Sequence, residues 1–324
     1  MINFSRAFDL AWERMMAILF RPFDLGRWFV IGFSAFLAGL LAGGNGFNGF
    51  NVPNYQNRTY TPTTSFQFHS NMPSLSSGMT NFTTALSTGV GIFLIVVIGF
   101  FVLAFAVLLY WLGSRGQFLF LDNVVRNRGA IAWPWQAYAR QGNNLFVFCL
   151  LWLLIVLVVM IPFVVAGIFL ALPFMHEHRW PEGGEWAVPA LLGAAYFIVS
   201  LVLSVIFFLF REFGVPLMFR NGLTARAAFG ETMGLVQRFP GAVTLFVLLR
   251  IALFIALVIF SLIVCCFSCC VEMIPYLGTV LLLPALIFIK CFTLEVLAQF
   301  GPEYNVWTID VPPTPGINPP PPPG

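Results

Sequence analysis

Charge is what this chain has least of. Only 9% of its 324 residues are Asp, Glu, Lys or Arg, and Lys290 is the lone lysine. Soluble domains carry about 25% charged residues, so the composition argues against a water-soluble globular body. The net charge of +3 is too small for a nucleic-acid-binding surface, and no such partner is expected. The six cysteines (Cys149, Cys265, Cys266, Cys269, Cys270, Cys291) lie in or beside apolar runs and lack the layout of a secreted disulfide framework. Arg6, Asp9, Glu13 and Arg14 are spread through the first twenty residues, so no cleavable signal peptide is expected. GxSxG, P-loop, HExxH and dinucleotide fingerprints are absent from the sequence, and each carries a specific chemistry. Neither an enzyme nor a resident cofactor is expected.

What the chain has in abundance is apolar surface. It is 59% hydrophobic, with mean hydropathy +0.89, 38 phenylalanines and nine tryptophans. That composition suits lipid-facing helices with aromatic belts at the interfaces. Six apolar runs, at about 28–43, 89–112, 145–172, 187–210, 242–264 and 279–298, each approach the ~20 residues that a bilayer crossing requires. The expectation is an all-α integral membrane protein with six transmembrane helices in three hairpins, each preceded by an amphipathic interfacial helix.

The stretch 211–246 sets the plan. Four arginines (Arg211, Arg220, Arg226, Arg238) stand between two apolar runs, and an amphipathic segment, 224–237, stops at Arg238-Phe239-Pro240. The same layout occurs at 115–146 and, without its lead-in, at 5–29, with Arg140-Gln141-Gly142 and Arg21-Pro22 in the corresponding places. In residues 3–20, Phe4, Phe8, Ala11, Met15 and Ile18 recur at helical spacing while Arg6, Asp9 and Glu13 line the other face. A helix of that kind, with Trp12 on its apolar side, is expected in the membrane surface.

Residues 1–300 read as one membrane domain, interrupted at 44–87 by a Gly-, Asn-, Ser- and Thr-rich stretch expected to be a disordered external loop. Residues 301–324 read as a proline-rich cytoplasmic tail of polyproline II character. Twelve arginines, from Arg6 to Arg238, fall on one side of the six runs, against Arg58 and Arg179 on the other. Such a bias places the arginine-rich side and both termini in the cytoplasm.

The segments RGQFLFLDNVVRNR (115–128), VQRFPGAVTLF (236–246) and IPYLGTVLLLPALIFIKCFTLEVLAQFGPEY (274–304) resemble an uncharacterised family of bacterial multi-pass membrane proteins. The resemblance implies a bacterial cytoplasmic (inner) membrane location and lends no activity or site residue.

Three places could carry chemistry. Arg250, Lys290 and Glu295 lie inside apolar runs, where an ionisable group costs at least ~2.5–3.5 kcal/mol. Antiparallel neighbours would bring Arg250 and Glu295 to comparable depths, so an Arg250–Glu295 pair is expected. His176, His178 and Glu182, together with Glu185, offer metal-ligand types within one short segment, although as a solvated turn anchored by Trp180 and Trp186 they need no metal. Cys266, Cys269 and Cys270, with Cys265, form a dense thiol cluster suited to soft metals, to oxidation or simply to tight packing. The residues favour a structural or partner-binding membrane component, with the lipid bilayer and a membrane or cytoplasmic protein as partners. The alternative is a transporter or channel for a small or lipidic molecule.

Overall fold

The computed structural model describes residues 2–41, 89–177, 183–267 and 274–308, and no strand occurs among them. In chain order the helices are α1 (Phe4–Leu19), α2 (Leu25–Leu40), α3 (Gly89–Val125), α4 (Ala132–Ala137), α5 (Ala139–Glu177), α6 (Ala187–Leu209), α7 (Val215–Asn221), α8 (Ala225–Arg238), α9 (Pro240–Phe267), α10 (Pro275–Leu281) and α11 (Leu283–Ala298). A 3-10 turn at Gly183–Trp186 precedes α6, and a π-helical turn at Phe210–Gly214 joins α6 to α7.

Four stretches are long and apolar enough to cross a membrane: Ile92–Val125, Ala139–Pro173, Gly183–Asn221 and Pro240–Phe267. The first of them, 34 residues long, measures about 51 Å at ~1.5 Å per residue, well beyond the ~30 Å of bilayer hydrocarbon. The first apolar run gives only the shorter α2. The last run is broken at Leu282 into α10 and α11, because Pro284 has no amide to offer the Val280 carbonyl one turn earlier. The expectation of six similar crossings thus meets four long helices, one short one and one broken one.

The interfacial elements also differ from one another. Helix α1 opens on Asn3, whose side chain accepts a 3.0 Å hydrogen bond from the Arg6 amide, satisfying a first-turn donor. Its buried stripe, Ala7, Ala11, Met15 and Ile18, lies against α11, while Phe8 and Trp12 stay exposed and meet the Phe288 ring edge-on. Helix α8, capped by Thr224, buries Ala225, Ala228, Thr232 and Leu235. The middle unit has only the six-residue α4 in this position.

Burial is one-sided. The first half of α3, most of α5 beyond Leu151, α6 up to Val202 and α9 beyond Leu248 present large apolar side chains to the outside. At the other end, where the arginines gather, Phe118, Phe210, Phe213, Phe246 and Phe292 are fully buried in one continuous core.

Small residues set the closest approach in that core. A Cβ on Gly116 of α3 would stand 2.5 Å from the Leu37 carbonyl carbon of α2, and one on Gly113 would collide with the Leu41 amide nitrogen. Gly113 and Gly116 thus let the α3 backbone come against that of α2 at Leu37–Leu41, as small residues do between packed helices.

Candidate functional site: a cationic chamber

The π-helical turn is where the chemistry collects. Pro216 cannot donate to the Glu212 carbonyl, and the wider turn at Phe210–Gly214 absorbs the fault. Such insertions re-aim side chains and recur at functional sites. Gly214 makes this one feasible, since a Cβ there would lie 2.6 Å from the Phe210 ring.

Arg211 and Glu212, carried by this turn, line a cavity of about 220 Å³ together with Arg250 of α9 and Lys290 of α11. Gln117 of α3 borders it too, its amide donating to the Ala38 carbonyl of α2 at 2.7 Å. Arg250 Nη2 donates to Glu212 Oε1 at 2.8 Å. Three cations against one carboxylate leave the chamber at a formal +2 (3 − 1). Among the described residues Arg211 and Lys290 have no ion-pair partner. The Nε atoms of Arg211 and Arg250 and the Oε2 atom of Glu212 are buried without hydrogen-bond partners. Buried charge is costly unless paired, so this surplus is a strong physical anomaly.

The anticipated Arg250–Glu295 pair does not form. Lys290 to Glu295 is five residues, a turn of about 140° around the helix axis, so Lys290 faces the chamber while Glu295 faces α1. There the Glu295 carboxylate, 7% exposed, pairs with Arg14, whose guanidinium lies 3.7 Å from the Trp307 ring centroid. Trp307 belongs to the 3-10 turn Val306–Thr308, which follows the turn Pro302–Tyr304. Val306 beside it is fully buried. Tyr304, Val306 and Trp307 of the expected tail thus pack onto the core, and 309–324 lie outside the described residues.

A second polar cluster escaped the sequence reading. Asp122 of α3 is fully buried and receives two hydrogen bonds from Arg128, at 3.0 and 2.8 Å, and one from the Tyr138 hydroxyl at 3.2 Å. Arg126 Nε lies 3.1 Å from the other carboxylate oxygen, a charge contact without hydrogen-bond alignment. Trp133 stacks near both guanidiniums, at 5.1 and 4.5 Å. Burial, and then the Asp122 charge, push the Tyr138 hydroxyl up to about 12. Both arginines pair with Asp122, which marks the cluster as a clasp between α3 and the 126–138 connection. The signal available in the sequence was the lone acid of RGQFLFLDNVVRNR, four residues before Arg126.

The remaining candidates are not brought together. His178, Glu182, Cys269, Cys270 and the 44–87 stretch lie outside the described residues. His176 falls in the last turn of α5, and Cys266 is exposed near the end of α9. Among the described residues no group of three His, Cys, Asp or Glu is placed to hold a metal.

The fold and chamber define a helical protein with apolar, membrane-compatible helices and a cluster of half-buried and buried charge. The chain belongs to a family of unknown function (DUF7544), whose model matches residues 4–306. No curated protein and no solved structure matches it.

Proposed function

We propose that this is a six-pass protein of the bacterial cytoplasmic membrane, both termini cytoplasmic, which binds and carries a small or lipidic molecule through the Arg211–Arg250–Lys290 chamber. The chamber itself supports this reading over a purely structural role. A structural ion pair uses equal numbers of opposite charges, whereas here two cations, Arg211 and Lys290, stand beyond the Arg250–Glu212 pair, and the Nε atoms of Arg211 and Arg250 are left without partners. Intramembrane ionisable groups facing a cavity commonly mark a substrate or ion path. The shorter α2 and the broken α10–α11 fit the same reading, since discontinuous helices frame such sites in transporters. The exposed arginines Arg6, Arg21, Arg140, Arg226 and Arg238 suit an anionic inner leaflet.

The test is native mass spectrometry of the full chain released from native-membrane nanodiscs. Wild type is expected to retain a bound molecule of defined mass. The charge-balanced pair Arg250→Leu/Glu212→Leu is expected to lose it while keeping a comparable melting temperature. Wild type without a retained molecule, or equal retention in both, returns the protein to a structural role. A reporter fused after Gly324 reads the orientation, with cytoplasmic activity expected.

A further inference from the structure

Resting on that reading, we infer that the chamber takes the phosphate head of an anionic lipid, a phosphomonoester best of all, with its acyl chain running outward along α9. Four observations converge on that class.

The first is charge. A formal +2 (3 − 1) is neutralised by one dianion, and a phosphomonoester carries nearly two charges at neutral pH. The second is donor geometry. Two of the three cations are arginines, each with a buried Nε that has no partner. The guanidinium fork matches tetrahedral phosphate oxygens, and a lysine adds a point charge. Lys290 is 8% exposed and lines the cavity, so an incoming anion meets a cation that water hardly reaches.

Depth is the third. Counting about 20 residues of hydrocarbon-spanning helix from Ala187 along α6 reaches residue 207, just before Arg211. Counting the same length back from Phe267 along α9 reaches 248, beside Arg250. At ~1.5 Å per residue, Arg211 thus lies about 6 Å outside and Arg250 about 3 Å inside that hydrocarbon boundary, nearer the lipid phosphates than the bilayer midplane.

The last is the shape of the outlet. Arg250, Phe254 and Leu257 follow one another at i, i+4 and i+7 on one face of α9, and Leu286 stands one turn from Lys290 on α11. Phe254 is 52% exposed. An apolar strip therefore leads from the charges into the lipid-facing surface, where α9 makes few contacts with the rest of the bundle. The volume of about 220 Å³ far exceeds the ~15 Å³ needed for one water. It accommodates a compact head.

Calorimetric titration of the full chain in neutral detergent separates the possibilities. The probes are dihexanoyl phosphatidic acid, dihexanoyl phosphatidylcholine and inorganic phosphate. The phosphatidic acid is expected to bind about tenfold or more tighter than the phosphatidylcholine, a difference worth ~1.4 kcal/mol, and inorganic phosphate alone is expected to bind weakest. Lys290→Met is expected to weaken phosphatidic acid about tenfold, and Leu257→Trp, which keeps every charge, is expected to weaken it as well. Arg238→Gln, on the exposed end of α8, is expected to leave it unchanged. Equal binding of phosphatidylcholine overturns the anionic class, and phosphate binding as tightly as the lipid overturns the acyl track. If phosphatidic acid fails to bind while native mass spectrometry still shows a retained molecule, this inference falls and the carrier reading stands. If nothing is retained either, both fall.

Discussion

Removing the Asp122 carboxylate is the sharpest test of how the arginine-bearing end holds together. Asp122 is fully buried, the Arg126 side chain is 8% exposed and that of Arg128 is 26% exposed. In Asp122→Ala the two guanidiniums lose their shared partner, but they differ in what they can do next. Arg128 swings toward water while still lying over Trp133. Arg126 has little such escape, because its Nε and Nη1 atoms are already buried without hydrogen-bond partners. Stranding one charge of a buried pair costs roughly 3–5 kcal/mol, and with only Arg126 trapped the lower end applies, about 3 kcal/mol. For 324 residues that corresponds to a fall of roughly 4–5 °C in Tm. The double variant Asp122→Ala/Arg126→Met removes both charges and keeps the apolar stem. It is expected to regain about 2 kcal/mol of the loss, since neutral replacements of buried pairs are often harmless. Thermal unfolding of the purified protein in detergent, followed by near-UV circular dichroism, measures both. A single variant within about 1 kcal/mol of wild type, or a double variant no better than the single, would refute the clasp.

Two further expectations follow from packing and burial. Gly116→Val forces a branched side chain into the Leu37 backbone, where a Cβ alone stands at 2.5 Å. Overpacking of this kind costs about 1–3 kcal/mol or more, and the variant is expected to elute as aggregate or with a lowered Tm by size-exclusion and thermal assays, whereas Gly230→Ala, in open space, is expected to behave as wild type. Tyr138, its hydroxyl raised to about 12, is expected to add no tyrosinate absorbance near pH 10–11, so wild type and Tyr138→Phe should give superimposable difference spectra there. The raised value means the folded state holds its proton longer than the unfolded one. Its contribution is present below about pH 10 and is lost as pH rises toward 12; a Tyr138→Phe difference that appears already near pH 10 contradicts the burial of the hydroxyl.

Much of the helix content was readable because it depends on local pattern. The stripe Ala11, Met15 and Ile18 with Asn3 before it specifies α1, and the amphipathic segment expected at 224–237 is α8, Ala225–Arg238. Arg250 and Lys290 were recognisable as costly charges for the same reason, since each interrupts an apolar run. What escaped depends on which faces meet. Glu212 looks like a terminal residue of an apolar helix, and only the π-helical turn ahead of Pro216 aims it at Arg250. Glu295 lies close to Lys290 in sequence but faces another helix, which a comparison of depths alone does not reveal. Gly113 and Gly116 gave no sign that their partner would be the backbone of α2 and not lipid. Pro284 was visible from the start, yet whether a proline kinks a helix or divides it is decided by the neighbours that receive the freed carbonyl.

A bundle fastened at one end behaves as a set of levers. Helix α9 stands on Pro240 and has 28 residues, about 42 Å of rod. A tilt of about 5° about that footing displaces its far tip by ~3.7 Å. At Arg250, about 15 Å up the rod, the same tilt shifts the backbone by ~1.3 Å. That is a large step beside the 2.8 Å contact with Glu212. In a membrane, stretching or thinning of the bilayer would therefore act on this ion pair at a mechanical advantage of about three, with no need for anything to touch the arginine.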